Sequence, residues 1–397
     1  MNSGAPKKNL CFCNSNPAWG GGELWHLSAA RHLAERGHTV FLAAAAGSAL
    51  GKAAAALLEE REDLRGRLRL HDWSFRNLDF LNPFKTARFS RFLRAEKISL
   101  LLLGLPADLK GGVKAAARLP QGSVKVFYRR GIALPVKNSF LNRFFYSSLS
   151  GVIVNSRETA RGILENSGQN AGLLPPEKLH IIYNGLDAAE FDRRLAGDCS
   201  AAPPPFWENP ERALVLGNAG RLTAQKGQKY LLHMSAALKK LGCRHRLLLA
   251  GTGELERELK ELALRLGLDS QEVRFAGFLK DMSPFWKEID VFVLSSLWEG
   301  FGYVLAEAML ARRPICAFAR NSIPELVLDG RNGFLAEPPG SEEADEEAGR
   351  RLALLLRRFY DCPELLRQMG EEGRAFCLSR FTQEESMRRL RDVLLLD

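Results

Sequence analysis

Two acids and two cations, each beside a glycine turn, are the residues of this sequence best placed to do chemistry. Glu299 opens the turn Glu299-Gly300-Phe301-Gly302 after the apolar run 290–296, and Glu307 follows among apolar residues at helical spacing. A strand, a tight turn and a helix in that order leave the first N–H groups of the helix without intrahelical partners. The helix dipole adds roughly half a positive charge there, so an anion such as a diphosphate is a natural occupant. Carboxylates do not bind phosphate, but they accept well from the paired hydroxyls of ribose or a hexose. Arg221 and Lys226, in the glycine-bounded loop 220–227, supply a rigid guanidinium and a mobile ammonium suited to two phosphates. Together these residues suggest a nucleotide-sugar pocket. The plain alternative is a set of solvated turns ahead of ordinary packed helices.

Those loops need elements to hold them, and the apolar pattern supplies two series. In the first, a strand at 9–13 runs into the glycines 20–22, a helix at 23–36 and a strand at 39–46, the βαβ opening of a doubly wound sheet. No Gly-x-Gly-x-x-Gly follows the first strand and no acid closes the second, so this is not a dinucleotide fingerprint; Gly21 and Gly22 instead let backbone approach a ligand. A strand at 98–105 puts Asp108 and Lys110 just past its carboxyl end, where open α/β sheets bind ligands. The strand at 124–128 ends in Arg129-Arg130-Gly131, two arginines that meet either an anion or solvent. A strand at 151–155, a helix at 157–166 capped by Ser156, and strand character over 180–187 complete the series.

The stretch 197–210 holds four prolines and no periodicity, and reads as a linker. The second series starts with a strand at 213–219. Gly251 and Gly253 turn the strand 245–250 into a helix and are expected to line the donor site, as is Phe278, which offers an aromatic face to a base past the strand 273–275. A strand at 314–318 follows the Glu299 turn, and the acids of 341–347 open a helix of the kind its dipole favours.

At 397 residues and 46% hydrophobic content, the chain is expected to be globular with two domains of similar size. Its apolar runs fall short of the roughly 18–20 residues that span a bilayer. Residues 1–9 lead into a strand without a secretory apolar core, so a cytoplasmic location is expected. Seven cysteines without zinc spacing fit a reduced compartment and no metal site. The formal charge of +10 is uneven, with ten Lys and Arg between 61 and 97 interleaved with Trp73, Phe75, Phe80, Phe84, Phe89 and Phe92. Such a stretch is a packed helix with a wet charged face, a surface for anionic lipid through 73–94 on the inner face of the cytoplasmic membrane, or, least expected, a nucleic-acid surface.

Five segments in order, GGGE at 20–23, IIYNGLD at 181–187, GRLTAQKG at 220–227, AGTGELE at 250–256 and EGFGYVLAE at 299–307, resemble the retaining glycosyltransferases of family 4 over nearly the whole chain. The resemblance implies the α/β GT-B architecture, two Rossmann-like doubly wound parallel-sheet domains facing across a cleft. It places an acceptor-side domain at 1–196 and a nucleotide-sugar-binding domain at 211–378, with a C-terminal helix at 379–397 crossing back. It implies diphosphate contacts from Arg221 and Lys226, ribose hydroxyls held by Glu307, and a donor sugar facing Glu299. Backbone around Phe301, Gly302 and Tyr303 meets phosphate or sugar, and Gly21 and Gly22 approach the diphosphate. No metal or other cofactor is implied beyond the donor. Where many members carry a histidine after the strand at 124–128, this chain has Arg129-Arg130-Gly131, so Arg130, or Asp108 with Lys110, is expected to take over the positioning role.

The expected activity is therefore metal-independent, retaining transfer of a sugar from a nucleotide diphosphate to a glycan or lipid-linked acceptor, in lipopolysaccharide or other cell-envelope synthesis. Two alternatives stand beside it: a non-catalytic scaffold of the same fold that binds nucleic acid or a partner, and a nucleotide-sugar epimerase.

Overall fold

The computed structural model describes residues 7–164, 173–197, 206–207, 213–340 and 343–394. They divide into two compact units, 1–184 with 386–397, and 185–385.

The first unit is built on seven parallel strands: β1 (Asn9–Cys13), β2 (Thr39–Ala44), β3 (Leu68–Asp72), β4 (Ile98–Leu103), β5 (Lys125–Arg130), β6 (Gly151–Val154) and β7 (Leu179–Ile181), in the order β3-β2-β1-β4-β5-β6-β7. The central strands are apolar along their length because helices cover both faces. Alternation along β1 shows it: Leu10 and Phe12 enter one core cluster, Cys11 and Cys13 the other. The Gln383–Leu394 helix adds Met387, Leu390 and Leu394 to the cluster of Leu10 and Phe12.

The second unit repeats the plan with six parallel strands: β8 (Leu214–Ala219), β9 (His245–Ala250), β10 (Val273–Gly277), β11 (Val291–Leu294), β12 (Ile315–Phe318) and β13 (Gly333–Ala336), in the order β10-β9-β8-β11-β12-β13. In both sheets the order reverses beside the first strand, between β1 and β4 and between β8 and β11. That reversal opens a crevice beyond the strand carboxyl ends, where a doubly wound sheet receives a ligand.

Several boundaries differ from the sequence reading. β2 stops at Ala44, and Ser48 caps the next helix by accepting from the Gly51 N–H. β5 runs on through Arg130, because Arg129 and Arg130 pair with Ile153 and Val154 of β6. The helix Ala188–Ala196 belongs to the second unit, where Asp192 takes two bonds from Arg374 and the Arg194 carbonyl accepts from Ser283. The division thus falls ahead of the stretch 197–210, most of which lies outside the described residues.

The basic stretch around 73–94 is not the aromatic surface its composition suggested. Trp73, Phe75 and Phe89 are buried, with Phe89 stacked 5.0 Å from Trp73 and edge-on to Phe75 at 5.2 Å. Helical spacing turns Phe89 inward and leaves Arg88, Arg91 and Arg94 in solvent; of the six aromatics, Phe84 is the fully exposed one. Among the described residues no helix is long and apolar enough to cross a membrane.

Candidate functional site

Two loops meet at the β8/β11 reversal. The Leu297 N–H donates to the Gln225 carbonyl at 2.8 Å, the Gln225 amide donates to the Trp298 carbonyl at 2.9 Å, and Ser295 Oγ donates to the Lys226 carbonyl at 3.0 Å. Gly227 permits this approach: its φ is +61°, and a Cβ there would lie 2.5 Å from the Ser295 carbonyl oxygen. The docked loops bring Lys226 Nζ to 2.5 Å from Glu299 Oε1, with side chains only 17% and 8% exposed. Ser322 Oγ donates to the Glu299 carbonyl at 3.1 Å and holds the acid's backbone. An ammonium has three donor hydrogens, so an ion pair with one carboxylate leaves capacity for an arriving anion.

Arg221 is exposed, and among the described residues its guanidinium makes no hydrogen bond or ion pair; Gln228 Nε2 fixes its backbone by donating to its carbonyl at 3.0 Å. Gly302, with φ +82°, caps the helix Tyr303–Leu310, whose first N–H groups face the same end of the sheet. Glu307 lies on the second turn of that helix. It is partly exposed and takes no side-chain hydrogen bond from a described residue. Desolvation pushes its pKa up to about 7, against the pull of the Arg194 cation.

Gly251 and Gly253 brace the Arg221 loop through backbone: a Cβ on Gly251, at φ +133°, would lie 2.0 Å from the Gly220 carbonyl oxygen, and one on Gly253 would lie 2.3 Å from that of Leu222. The Phe301 ring is buried against the rings of Tyr303 and Phe381, so only its backbone is left for a ligand. Phe278 is exposed beside Gly277.

At the equivalent reversal of the first unit, between β1 and β4, the carboxylate is taken up by the protein's own donors. Asp108 sits in the first turn of the Pro106–Ala116 helix, fully buried. Its carboxylate accepts from Ser15 Oγ, from the Ser15 N–H at 3.2 Å, from the Leu105 N–H at 3.0 Å and from Cys13 Sγ at 3.6 Å. Burial still outweighs these donors and pushes its pKa up to about 7. Expected as a ligand contact, Asp108 is held as a clamp joining the loop after β1 to the loop after β4. The Lys110 ammonium lies over the Phe80 ring at 5.6 Å.

Gly21 and Gly22 are the first residues of the Gly21–Glu35 helix. A polar set fixes that turn: Glu23, buried, accepts from Asn14 at 3.1 Å and Asn16 at 2.9 Å, while His26 Nδ1–H donates to the Gly22 carbonyl at 2.8 Å. Burial, and then the Arg129 charge, hold the His26 pKa down at about 3, so the ring stays neutral. Arg130 donates to the Leu134 carbonyl at 2.5 Å. Of the two arginines it is Arg129 that reaches the glycine turn: it is buried over the Trp25 ring at 4.4 Å, donates to Asn184 Oδ1 at 2.9 Å, and places Nη1 3.8 Å from where a Gly22 Cβ would be. The sequence reading named Arg129 only beside Arg130, which it favoured, and missed Asn14, Asn16 and His26. The parity of a strand continued through Arg130 separates the two arginines, and the i, i+3 spacing of Glu23 and His26 marks one helix face.

With this geometry in view, comparison with known proteins gives a consistent answer. The model for Glycosyltransferase Family 4 matches residues 19–190, and the model for Glycosyl transferases group 1 matches 213–353. The D-inositol 3-phosphate glycosyltransferase of Streptomyces scabiei is 30% identical over 54% of this chain and 49% of its own length. The lipopolysaccharide core biosynthesis glycosyltransferase LpsE of Rhizobium meliloti is 24% identical over 82% of this chain and 84% of its own. Matches to the curated relatives of higher identity span about half their length. Among solved structures, Anabaena HepE in complex with UDP and glucose superposes with a TM-score of 0.75 at 21% identity, over 98% of this chain and 100% of that one. The chain belongs to the family 4, group 1 glycosyltransferases and has the GT-B fold.

Proposed function

We propose that this protein transfers a glycosyl group, with retention at the anomeric carbon, from a nucleotide-diphosphate sugar to a glycan or lipid-linked acceptor of the cell envelope. The observation that carries the reading is the β8/β11 crevice: a largely buried Lys226–Glu299 pair, an Arg221 uncommitted among the described residues, a bare helix start at Gly302, and a Glu307 that takes no hydrogen bond from a described residue. LpsE, named for lipopolysaccharide core biosynthesis, and HepE, crystallised with UDP and with UDP-glucose, support the substrate class.

In this reading Arg221 and Lys226 hold the diphosphate, Glu307 accepts from the ribose hydroxyls, and Glu299 faces the donor sugar. The bond between the anomeric carbon and the diphosphate oxygen breaks as the acceptor oxygen bonds to that carbon from the same face. The acceptor proton passes to an oxygen of the leaving diphosphate, so no enzymic nucleophile is needed. Charge on the departing group is met by the two cations and the helix start, the kind of preorganised stabilisation that dominates such steps. These cations take the place of a metal. A lipid-linked acceptor would bring the protein to the inner face of the cytoplasmic membrane.

Incubation with a panel of labelled sugar nucleotides, with and without EDTA, tests the reading. Transfer or slow donor hydrolysis, unaffected by EDTA and giving a product with the donor's anomeric configuration, is expected. An epimerised donor, an inverted product, or no turnover of any donor would overturn it.

A further inference from the structure

We infer that the first unit carries a docking face for an anionic lipid bilayer, made by Leu78, Leu81 and Phe84 at the entry to the Pro83–Ala95 helix and by Phe140, Leu141 and Phe144 of the Phe140–Ser147 helix. The inference is independent of the sugar-transfer reading. It also moves the contact away from most of 73–94, whose aromatics are largely core.

Exposure comes first. Phe84 is 84% exposed, Phe140 87% and Leu78 70%. Single apolar residues on a surface need no explanation, but a contiguous group of large ones marks an interaction site. Contiguity comes from the Pro106–Ala116 helix, which packs against both parts. Lys110 lies over the Phe80 ring at 5.6 Å and Lys114, one turn on, over the Phe144 ring at 4.9 Å. Phe80 meets Phe145 edge-on at 5.6 Å beneath the surface, and Arg118 reaches the Pro83 carbonyl at 3.4 Å. The Phe140–Ser147 helix is itself two-faced: Phe145 and Tyr146 are buried, while Phe140, Leu141 and Phe144 stand on the opposite side.

Charge selects the occupant. Residues 73–148 contain fourteen Lys and Arg against three Asp and Glu. Of the three acids, Asp108 is buried and Asp79 is paired with Lys85 at 2.5 Å. An apolar patch with a cationic rim matches a surface that offers anionic headgroups outside and acyl chains just below, with lysine stems reaching up from beside the rings. A second copy of this chain would set like charge against like charge. Nucleic acid would use the cations and the rings but gain little from the exposed leucines.

Co-sedimentation with phosphatidylglycerol/phosphatidylcholine vesicles at low salt tests the inference, with pure phosphatidylcholine vesicles for comparison. The full chain is expected to bind the anionic vesicles and largely ignore the neutral ones. Phe84→Ser with Phe140→Ser should lower binding at least about tenfold, through lost apolar insertion. Lys114→Glu with Lys137→Glu, the latter exposed three residues before Phe140, should lower it by roughly fivefold per lost cation, an effect that fades as salt rises. A control pair, Arg257→Glu with Lys260→Glu on the second unit, should bind as wild type. All these side chains lie at the surface, so thermal unfolding midpoints should hold, and the lysine pair leaves the rings untouched. No binding to anionic vesicles at low salt, or binding unchanged in both first-unit pairs, would overturn the inference. So would a dimer or an RNA complex that disappears in the phenylalanine pair while vesicle binding is absent throughout.

Discussion

The two units place a carboxylate at the same topological position, the reversal beside the first strand, and use it in opposite ways. In the first unit Asp108 is surrounded by the protein's own neutral donors, the Ser15 hydroxyl and N–H, the Leu105 N–H and the Cys13 thiol. In the second, Glu299 faces the Lys226 ammonium, with an open Arg221 and Glu307 nearby in sequence. A carboxylate saturated by short-range neutral donors holds two loops together. One paired with a flexible cation keeps charge available for exchange with a ligand. The same crevice thus serves as a clamp in one unit and as a candidate binding site in the other.

The largest effect expected from breaking the contrast is at Lys226. Lys226→Ala should reduce kcat/KM for glycosyl transfer by about 10²–10³, the cost of removing one preorganised donor to a developing anion. It should also destabilise the fold, because Glu299 is left buried without its cation. Adding Glu299→Gln should return most of that stability in urea unfolding without returning activity. Recovered activity in the double variant would reduce the pair to a structural role.

A smaller effect, on the other side of the comparison, is expected at Asp108. Asp108→Ala leaves the Ser15 and Leu105 N–H groups unpaired in the interior and should cost about 2–3 kcal/mol of unfolding free energy. Affinity for whichever nucleoside diphosphate of a panel binds best, read by calorimetry, should stay at the wild-type value if the residue is a clamp. A loss of affinity larger than the loss of stability would return Asp108 to the ligand site.

The smallest effect, which bears on both carboxyl groups at once, is a pH dependence. Both Asp108 and Glu307 have pKa values raised to about 7 by burial. A carboxyl raised above its unfolded value keeps its proton in the folded state where the unfolded chain has already released it. Stability is therefore full below about pH 4 and declines as pH rises through about 7. Glu307→Gln should flatten part of that decline. It should also weaken nucleotide binding by roughly five- to tenfold above pH 7, where the ionised acid is the better acceptor, and by less at pH 6. Equal weakening at both pH values would show that ionisation of Glu307 is not what the nucleotide senses.

The second unit's loops were legible because their signal is local. A strand, a glycine turn and a helix lie within about ten residues, and the apolar period changes visibly at Gly227 and at Gly302. The first unit's crevice was not, because its contacts join distant parts of the chain: Ser15 and Asp108 are 93 residues apart, and Arg129 meets Asn184 across 55. The interleaved aromatics of 73–94 misled for a related reason. Composition counts rings, but helical phase and the neighbouring strands decide which of them are core.

The α/β class, the two series of strand-turn-helix units and the family resemblance are readable from the residues alone, since apolar period and turn glycines are written residue by residue. Packing of the whole chain was needed to learn that Lys226 meets Glu299, that Asp108 is a clamp, that Arg129 rather than Arg130 reaches the glycine turn, and that Phe84 and Phe140 are left in water. The first two outcomes depend on which loops the strand order brings side by side, a long-range pairing that no local pattern encodes, and the last two on how far each strand and helix extends once packed.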